Sequence, residues 1–488
     1  MPNILSQGWS TFKAQWNLFW FAPSSGRPEA YFRAGYSLVL LCDLTAIYPL
    51  LRLFFSNQGA HPPSSLDFLF PPEFVYCFFY VWVFCAVMLL LGIKARLFSV
   101  LNFVCVLYFW YLRGQAAPHA SNWITHAMAF HLLFMKSDRR LSLSRDRKSQ
   151  DDLYCVWPAR LAQISFAGIY FTTGISKLPD PGWVSGIAFR DTLLHPIFSN
   201  FDFSWVSSYE SALKIITYAI TTFEISVPLL LIFKKTRPLT VLGLLLFQLG
   251  IDATIKVGWF ALFATAYLMI FVDDLSLKFL DKNIPGRKHA LKASWAARAF
   301  ICFHLIAFSI SHVSFFVKAV RYYDPGKIPI FSAYSSLAGI QEFRVWPTGF
   351  FLNPVKFLFL EAVHPDGTLE PISPYNKNGE YAPGLLLVRQ ARPGLFVFRI
   401  ASFGISEKKW HAFVDYLLFH YQSNYGKACP KELRVSLIRD SLENFRGAPK
   451  KMAVEKPLIL TAEMNCEKAR PSFDLQFTEF GKSFIAEE

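Results

Sequence analysis

The reactive groups of this chain stand inside or at the ends of long apolar segments. Lys177 ends one such segment, which Pro158 opens and Pro179 closes. An ionisable side chain within a bilayer is costly unless it is paired or wetted, so it is a functional candidate by default. Burial disfavours the charged form of an amine, and a sheltered lysine can therefore act as a base or a nucleophile. Lys177 is thus the first candidate catalytic residue, the alternative being a lysine that reaches the interface and anchors a helix end.

Three further residues share the predicted outer layer with Lys177, one of them Lys256 at the start of the eighth span. Each residue is given a depth from the rise of an α-helix, about 1.5 Å per residue. On this basis Asp252 ends a neighbouring apolar segment, and His126 lies a short way down another. Asp252 is therefore the predicted partner of Lys177. A direct pair between Lys177 and Glu224 is not expected, because their predicted depths differ by about 20 Å.

A second layer of polar residues is predicted near the middle of the membrane. It contains Asp43, Glu224 and His304. These side chains are interpreted as interhelical hydrogen-bonding groups, with a proton path as the alternative. His126 and His131 are spaced so that they could flank a metal ion, but no third ligand stands at matching spacing, and no metal site is predicted.

Composition places the chain among membrane proteins. Its 488 residues are 53% hydrophobic and 17% aromatic, and the mean hydropathy is +0.30. These values exclude an ordinary soluble protein and favour a large apolar bundle with a separate domain. The net charge of +14 does not indicate a nucleic-acid partner, because the basic residues fall in short loops between apolar segments. The predicted partner is the lipid bilayer.

The predicted fold class is an α-helical polytopic membrane bundle of about nine spans, with a C-terminal extramembrane α+β domain. The bundle is predicted over residues 34–317. The candidate spans are 34–56, 72–93, 96–113, 120–136, 159–178, 211–233, 237–252, 256–273 and 295–317.

The segment before the bundle, residues 1–33, carries aromatic residues at helical spacing. They are Trp9, Phe12, Trp16, Phe19 and Trp20. This pattern is typical of a helix that lies flat at the bilayer interface. A soluble helix that packs on the bundle is the alternative.

Orientation is predicted from the basic residues, which collect on the cytoplasmic side of membrane proteins. A cytoplasmic N-terminus places most of the loop lysines and arginines inside, including the cluster at 136–148. An odd number of spans then places the tail, residues 318–488, on the periplasmic, extracellular or lumenal side. Cys429 and Cys466 lie in this tail, and an oxidising compartment would let them pair.

The tail has the composition of a soluble domain. Strand-like runs are predicted at 356–363, 385–389, 395–400, 433–438 and 458–461, with a helical pattern at 410–421. The residues from His364 to Gly367 are interpreted as a turn between strands.

Several stretches together resemble the HTTM family of membrane proteins, to which vitamin K-dependent γ-glutamyl carboxylase belongs. In chain order they are Phe32, Arg33 and Asp43; Ala129–Met135; Ile169, Tyr170, Phe171, Gly174, Lys177, Leu178, Trp183 and Gly186; Phe223 and Glu224; and Gly258–Phe260. The resemblance covers about residues 25 to 320. It rests on the order and spacing of these stretches.

The resemblance implies a specific role at one position. Lys177 matches the lysine thought to deprotonate vitamin K hydroquinone in the carboxylase, where oxidation of the quinol by oxygen yields a strong base that removes a γ-proton from glutamate before carbon dioxide adds. It therefore implies a lyase-like enzyme, reduced vitamin K or another quinol as cofactor, and a secreted peptide as substrate.

One departure from the family pattern bears on this implication. The carboxylase has an asparagine-histidine motif at the start of the fourth span, whereas this chain reads Asn122-Trp123. His126, about one helical turn later, is the candidate substitute.

Three functions remain open on the sequence alone. The first is a membrane enzyme in which Lys177 is the base. The second is a non-catalytic assembly or export factor for secreted peptides that uses the bundle as a scaffold. The third is a proton-coupled transporter with a path through Asp43, Glu224 and His304, although broken helices of the usual transporter kind are not visible.

Overall fold

The structure is a computed structural model of the chain. It describes residues 2–59, 70–112, 120–143, 154–194, 200–201, 203–233, 235–255, 257–274, 290–320, 329–338, 355–371, 407, 410–411, 413–415, 418, 430–440, 458–465 and 472–482.

Helices make up the described part of the first 338 residues. In chain order they are α1 (Pro2–Phe21), α2 (Arg27–Ile47), α3 (Leu51–Phe55), α4 (Pro72–Leu91), α5 (Ala95–Val106), α6 (Ala120–Leu132), α7 (Trp157–Lys177), α8 (Pro181–Val184), α9 (Ala188–Leu194), α10 (Glu210–Ile232), α11 (Arg237–Thr254), α12 (Phe260–Leu268), α13 (Trp295–Val320) and α14 (Pro329–Leu337). A π-helical turn, Leu107–Leu112, extends α5, and 3₁₀ turns precede α10 and follow α12.

Proline marks where several of these helices begin. It occupies the first or second position of α2, α4, α7, α8 and α11. Proline has no N–H, but the first-turn N–H groups of a helix have no partner within the helix, so nothing is lost there. The predicted start of the Lys177 helix at Pro158 follows from this rule.

Three of the described helices, α2, α4 and α10, are long and apolar enough to cross a membrane by length and composition. Shorter apolar helical stretches are Ala95–Phe109, Phe260–Val272 and Trp295–Ser311. Helices therefore lie at all nine predicted positions, which supports the helical class, but nine crossings are not confirmed. Several predicted spans are shortened because their helices end in π-helical or 3₁₀ turns.

A buried hydrogen-bond chain joins α2, α4 and α5 in the core. The indole N–H of Trp82 donates to Asn102 Oδ1 at 3.0 Å, and the Asn102 amide donates to the Tyr36 hydroxyl at 2.9 Å. All three side chains are fully buried. Tyr36 also contacts Phe263 of α12. These contacts together link four helices: α2, α4, α5 and α12.

The aromatic residues of α1 lie mostly on its exposed side. Trp9, Phe12, Trp16 and Phe19 are exposed, whereas Trp20 is buried. Successive rings from Trp9 to Trp20 contact one another at 5.7 to 6.1 Å between centroids. An interfacial helix would present such a face to lipid, and that assignment stays a prediction.

The tail contains a five-stranded antiparallel sheet. Its strands are β1 (Val355–Val363), β2 (Leu369–Pro371), β3 (Glu432–Asp440), β4 (Leu458–Asn465) and β5 (Ser472–Phe477), in the spatial order β2-β1-β3-β4-β5, and α15 (Glu479–Lys482) follows. The strands predicted at 356–363, 433–438 and 458–461 are confirmed, whereas β2 and β5 were not predicted. The strands predicted at 385–389 and 395–400 lie outside the described residues.

One face of the sheet is apolar and covered by helical residues. Leu360 pairs with Val435, and Val435 with Leu460, and all three are buried. Trp410, in a helical stretch, is fully buried and contacts Phe477 of β5 at 6.2 Å between ring centroids. The predicted α+β composition of the tail is thus present in its described part.

Two further predictions concern the tail. The turn predicted from His364 to Gly367 is present between β1 and β2, with φ of +82° at Gly367, a conformation that favours glycine. Asp366 accepts hydrogen bonds from the backbone N–H and hydroxyl of Thr368, which lowers the pKa of its carboxyl group. Cys429 and Cys466 lie outside the described residues, so their pairing stays a prediction.

Candidate active site

Lys177 forms an ion pair with Glu224. Its Nζ donates to Glu224 Oε2 at 2.5 Å, and the two side chains are only 3% and 5% exposed. Lys177 ends α7, and Glu224 lies in the second half of α10. The expectation that Asp252 is the partner of Lys177, and that Glu224 lies too deep to reach it, is therefore wrong.

The reason for the error is the offset between α7 and α10. The prediction placed the end of α7 and the start of α10 at one level. In the structure Glu224 follows the first residue of α10 by 14 positions, or about 20 Å of helix. The part of α10 that precedes Glu224 packs against α8 and α9. Thr217 Oγ1 donates to the Gly186 carbonyl at 3.1 Å, and the Tyr218 hydroxyl donates to the Val184 carbonyl at 2.9 Å. The level of Lys177 is therefore inside the helical bundle and not at its edge.

A close approach of the two helices brings the pair together. Gly174 lies on α7 one turn before Lys177 and faces Ile225 of α10. A Cβ atom at position 174 would lie 2.9 Å from the backbone nitrogen of Ile225 and 3.0 Å from the Glu224 Cβ. Only glycine leaves room for this contact, which positions the Glu224 backbone within reach of the lysine.

Trp183 covers the amine on another side. Lys177 Nζ lies 4.2 Å from the centroid of a Trp183 ring, in cation–π geometry. Trp183 belongs to α8, a single turn capped by Asp180, whose Oδ1 accepts from the N–H groups of Gly182 and Trp183 at 3.0 and 3.3 Å. The proline-rich end of the segment is thus a structured turn that places an aromatic ring over the amine.

A second polar contact lies about two helical turns before Lys177. The Gln248 amide of α11 donates to the Tyr170 hydroxyl at 2.6 Å, and both side chains are buried. Gln248 Oε1 has no hydrogen-bond partner within the described part of the chain. Buried polar side chains of α10 and α11 therefore contact the last two turns of α7.

The other two residues predicted for catalysis lie elsewhere. The Asp252 carbonyl accepts from the Asn200 side chain at 2.8 Å near the end of α11. His126 Nε2 lies 2.8 Å from the Leu337 carbonyl of α14, and its ring contacts Phe103. Neither side chain contacts Lys177, whose polar and ring contacts are with Glu224 and Trp183.

The two remaining residues of the predicted middle layer have different neighbours from Glu224. Asp43 is fully buried on α2. His304 of α13 is also fully buried; its Nδ1 lies 2.8 Å from the Tyr334 hydroxyl of α14, and its ring lies 5.9 Å from that of His131. Its Nε2 has no partner among the described residues.

The described residues contain no group of three or more His, Cys, Asp or Glu side chains that could hold a metal ion. The site around Lys177 offers acid–base groups: one amine and one carboxylate, with an indole ring and a tyrosine hydroxyl nearby.

The sequence contained a signal for the true pairing. The first 13 residues of α10 include Lys214, Thr217, Thr221 and Thr222 among apolar residues. Polar residues at this density are typical of a helix whose first turns leave the apolar core. Together with Gly174, this pattern would have favoured a close, offset contact between the two helices.

Comparison with known proteins gives one match. The model of a family described as HTTM domain matches residues 30–274, about half of the chain. No curated protein and no solved structure matches this chain. The matched range includes Lys177, Trp183 and Glu224, and therefore the whole buried pair. This protein belongs to the HTTM family.

Proposed function

We propose that this protein is a membrane enzyme in which Lys177 acts as a base on a lipid-soluble quinol, and that its tail domain presents a secreted peptide on the non-cytoplasmic side. The buried pair of Lys177 and Glu224 is the observation that supports the proposal. A lysine that merely anchors a helix end would place its amine in the headgroup region. This amine instead lies within the bundle under an indole ring.

The carboxylate beside the amine provides a second position for a proton. One hydrogen bond joins Lys177 Nζ to Glu224 Oε2, so a proton can lie on either atom. When Glu224 holds it, Lys177 is neutral and can accept a proton from a quinol hydroxyl, leaving the quinolate anion. Isolation from water strengthens the attraction between that anion and the resulting ammonium group.

The side chains around the pair suit an aromatic substrate. Trp183 and Tyr170 are aromatic, and the Tyr170 hydroxyl and Gln248 amide are polar groups that can orient oxygen atoms. In the carboxylase of the family, the quinol supplies the strong base when oxygen oxidises it. The residues of this chain would bind the quinol, exclude water and take its proton.

The test is quinol turnover by purified protein. Protein in detergent is supplied with reduced vitamin K under air, and epoxide is measured by chromatography. We expect epoxide with the wild type and loss of about 10²-fold or more with Lys177→Ala, the size of effect typical of a general base. Lys214→Ala, which removes an exposed lysine of α10, should turn over like the wild type. Absence of epoxide with the wild type, or turnover by Lys177→Ala equal to that of the wild type, would contradict the proposal.

A second candidate is the non-catalytic assembly or export factor. The position of His126 favours it, because the candidate substitute for the family histidine contacts the Leu337 carbonyl and not Lys177. Crosslinking in cells distinguishes the two functions. A scaffold should capture the same secreted peptide, unmodified, in the wild type and in Lys177→Ala, whereas an enzyme should leave the captured peptide modified only in the wild type.

A further inference from the structure

A cavity lies at the other end of α7 from Lys177, about 30 Å away along the helix. Its volume is about 440 Å³, within the range of sites for small molecules. Its lining comes from Arg96 of α5, from the turn after α6, and from the starts of α7 and α13 with the residues just before them. It is separate from the proposed active site.

The cavity is strongly cationic. Arg96, Lys136 and Lys292 line it and are solvent-exposed. Asp138 is the only acidic residue in the lining, and it is close enough to the buried guanidinium of Arg33 for the two charges to interact. Since Arg33 offsets the charge of Asp138, three positive side chains are left to attract an anion.

Two helix N-termini add to this positive potential. The 21-residue α7 begins at Trp157, and its N-cap residue Val156 makes no capping hydrogen bond. The 26-residue α13 begins beside Ser294, whose hydroxyl accepts from the Ala297 N–H at 3.2 Å. The N-terminus of a long helix carries partial positive charge and favours a bound anion.

The wall of the cavity is held by backbone hydrogen bonds. The strand-like bridge between Pro23 and Cys155 is flanked by hydrogen bonds from Val156 N to the Ala22 carbonyl at 2.9 Å and from Leu291 N to the Phe21 carbonyl at 2.7 Å. One connection between α1 and α2 thus fixes the starts of α7 and α13 relative to each other. The two helix N-termini are held in place before any ligand binds.

The remaining lining is apolar. Phe134, Met135 and Trp157 form part of the wall, and the rings of Phe134 and Trp157 contact each other at 5.8 Å. We propose that this cavity binds an amphiphilic phosphate, with the phosphate between Arg96, Lys136 and Lys292 and the two helix N-termini, and with an apolar part against Phe134 and Trp157. Arginine and lysine side chains bind phosphate oxygens through charge-assisted hydrogen bonds. The ligand is either a membrane phospholipid or a soluble phosphate ester, because both carry this chemistry.

Octyl phosphate is the probe for the test. Its binding to the protein in phosphatidylcholine nanodiscs is measured by calorimetry, with octyl glucoside as the uncharged probe of equal chain length. The cavity variant combines Arg96→Gln, Lys136→Gln and Lys292→Gln. The control variant combines Lys94→Gln, Arg140→Gln and Lys235→Gln, three exposed basic residues outside the cavity lining.

The wild type and the control variant should bind octyl phosphate equally, and the cavity variant about tenfold more weakly. Lipid extraction identifies the source: an anionic phospholipid that copurifies with the wild type but not with the cavity variant indicates a lipid, and its absence indicates a soluble ester. Equal binding of octyl phosphate by the two variants, or binding of octyl glucoside as tight as that of octyl phosphate, would overturn the proposal.

Cys155 gives a second measurement that does not depend on affinity. It lines the cavity and is half-buried. Octyl phosphate should slow its alkylation by maleimide in the wild type, followed by mass spectrometry, and should have no such effect in the cavity variant. Slowing of equal size in both proteins would contradict binding at the cations. Failure of the quinol assay leaves both measurements unaffected, because the two sites share no residue.

Discussion

At the scale of single residues, the buried pair of Lys177 and Glu224 is the most consequential feature. Removing two charges from water costs several kcal/mol per ion, and their attraction offsets this cost only in good geometry. Here one hydrogen bond joins them and an indole ring covers the cation. Such a pair contributes little net stability, but either charge left alone is strongly destabilising. This asymmetry can be measured.

Glu224→Gln should lower the free energy of unfolding by about 3–5 kcal/mol, because it leaves the Lys177 ammonium buried without a counter-ion. The double variant Lys177→Met with Glu224→Leu should return close to wild-type stability, since it removes both charges together. Thermal unfolding in detergent measures both. Glu210→Gln, at a residue that is 54% exposed on the same helix, is the matched control and should change little. A double variant as unstable as Glu224→Gln would contradict this account of the pair.

Arg33 has a structural role that its charge alone does not indicate. Its buried guanidinium donates to the carbonyls of Leu89 and Leu90 at the end of α4, and to those of Ser137, Arg140 and Leu141 in the turn after α6. The fork of N–H donors thus joins α2 to two chain segments. Among the amino acids, only arginine has a planar fork of five N–H donors.

Arg33→Lys should therefore lower the free energy of unfolding by about 2–3 kcal/mol, although the charge is retained, because an ammonium group cannot reach all of these carbonyls. The same substitution at the exposed Arg140 should have almost no effect. The difference between the two midpoints of thermal unfolding is the measurement. Equal midpoints would show that charge, and not the fork of donors, accounts for the role of Arg33.

At the scale of elements, the packing of α7 on α10 determines the site. Gly174 allows the two backbones to approach, and Thr217 and Tyr218 attach the start of α10 to the α8–α9 region. The ion pair forms because these contacts set the offset between the helices. A change in helix separation should therefore affect stability and function together.

Gly174→Ala should lower the free energy of unfolding by about 1–3 kcal/mol, because its Cβ would lie within 3 Å of the α10 backbone and the helices must separate. Gly250→Ala on α11 is the matched control. No atom lies within 4 Å of a Cβ at that position, and alanine is a better helix former, so stability should rise by about 0.5–1 kcal/mol. Thermal unfolding measures both. Changes of the same sign in the two variants would refute the proposed close contact.

At the scale of the whole molecule, the chain combines a helical HTTM region with a sheet-containing tail. The cavity at the start of α7 and the ion pair at its end lie at opposite ends of one helix. If the basic residues face the cytoplasm, the phosphate site is cytoplasmic and the amine is near the outer leaflet. Topology therefore decides which compartment supplies each ligand.

Cysteine labelling tests that topology. In sealed right-side-out vesicles, a membrane-impermeant maleimide should label Asp366→Cys, in the exposed turn of the tail, and should not label Arg140→Cys, in a basic loop. Wild-type protein gives the background from the native cysteines, and permeabilised vesicles show that both introduced thiols can react. Labelling of Arg140→Cys in sealed vesicles would reverse the predicted orientation.

The helices and several strands were predictable because their signals are local. Apolar runs predict α4, α7 and α10 within a few residues, and proline marks the starts of α4 and α7. Short strand-like runs of apolar residues predict β1 and β3 for the same reason. The number of membrane crossings was harder to predict, because short apolar helices such as α12 resemble full spans in composition.

For the site, the sequence alone determined that Lys177 and Glu224 are ionisable residues in apolar helices and therefore need partners. Only the tertiary structure decided that they are each other's partner, that Trp183 covers the amine, and that His126 contacts α14 instead. The physical reason is that a helical pattern gives the position of a residue along its own axis. The offset between two helices depends on contacts such as those of Gly174 and Thr217, which join residues far apart in the chain.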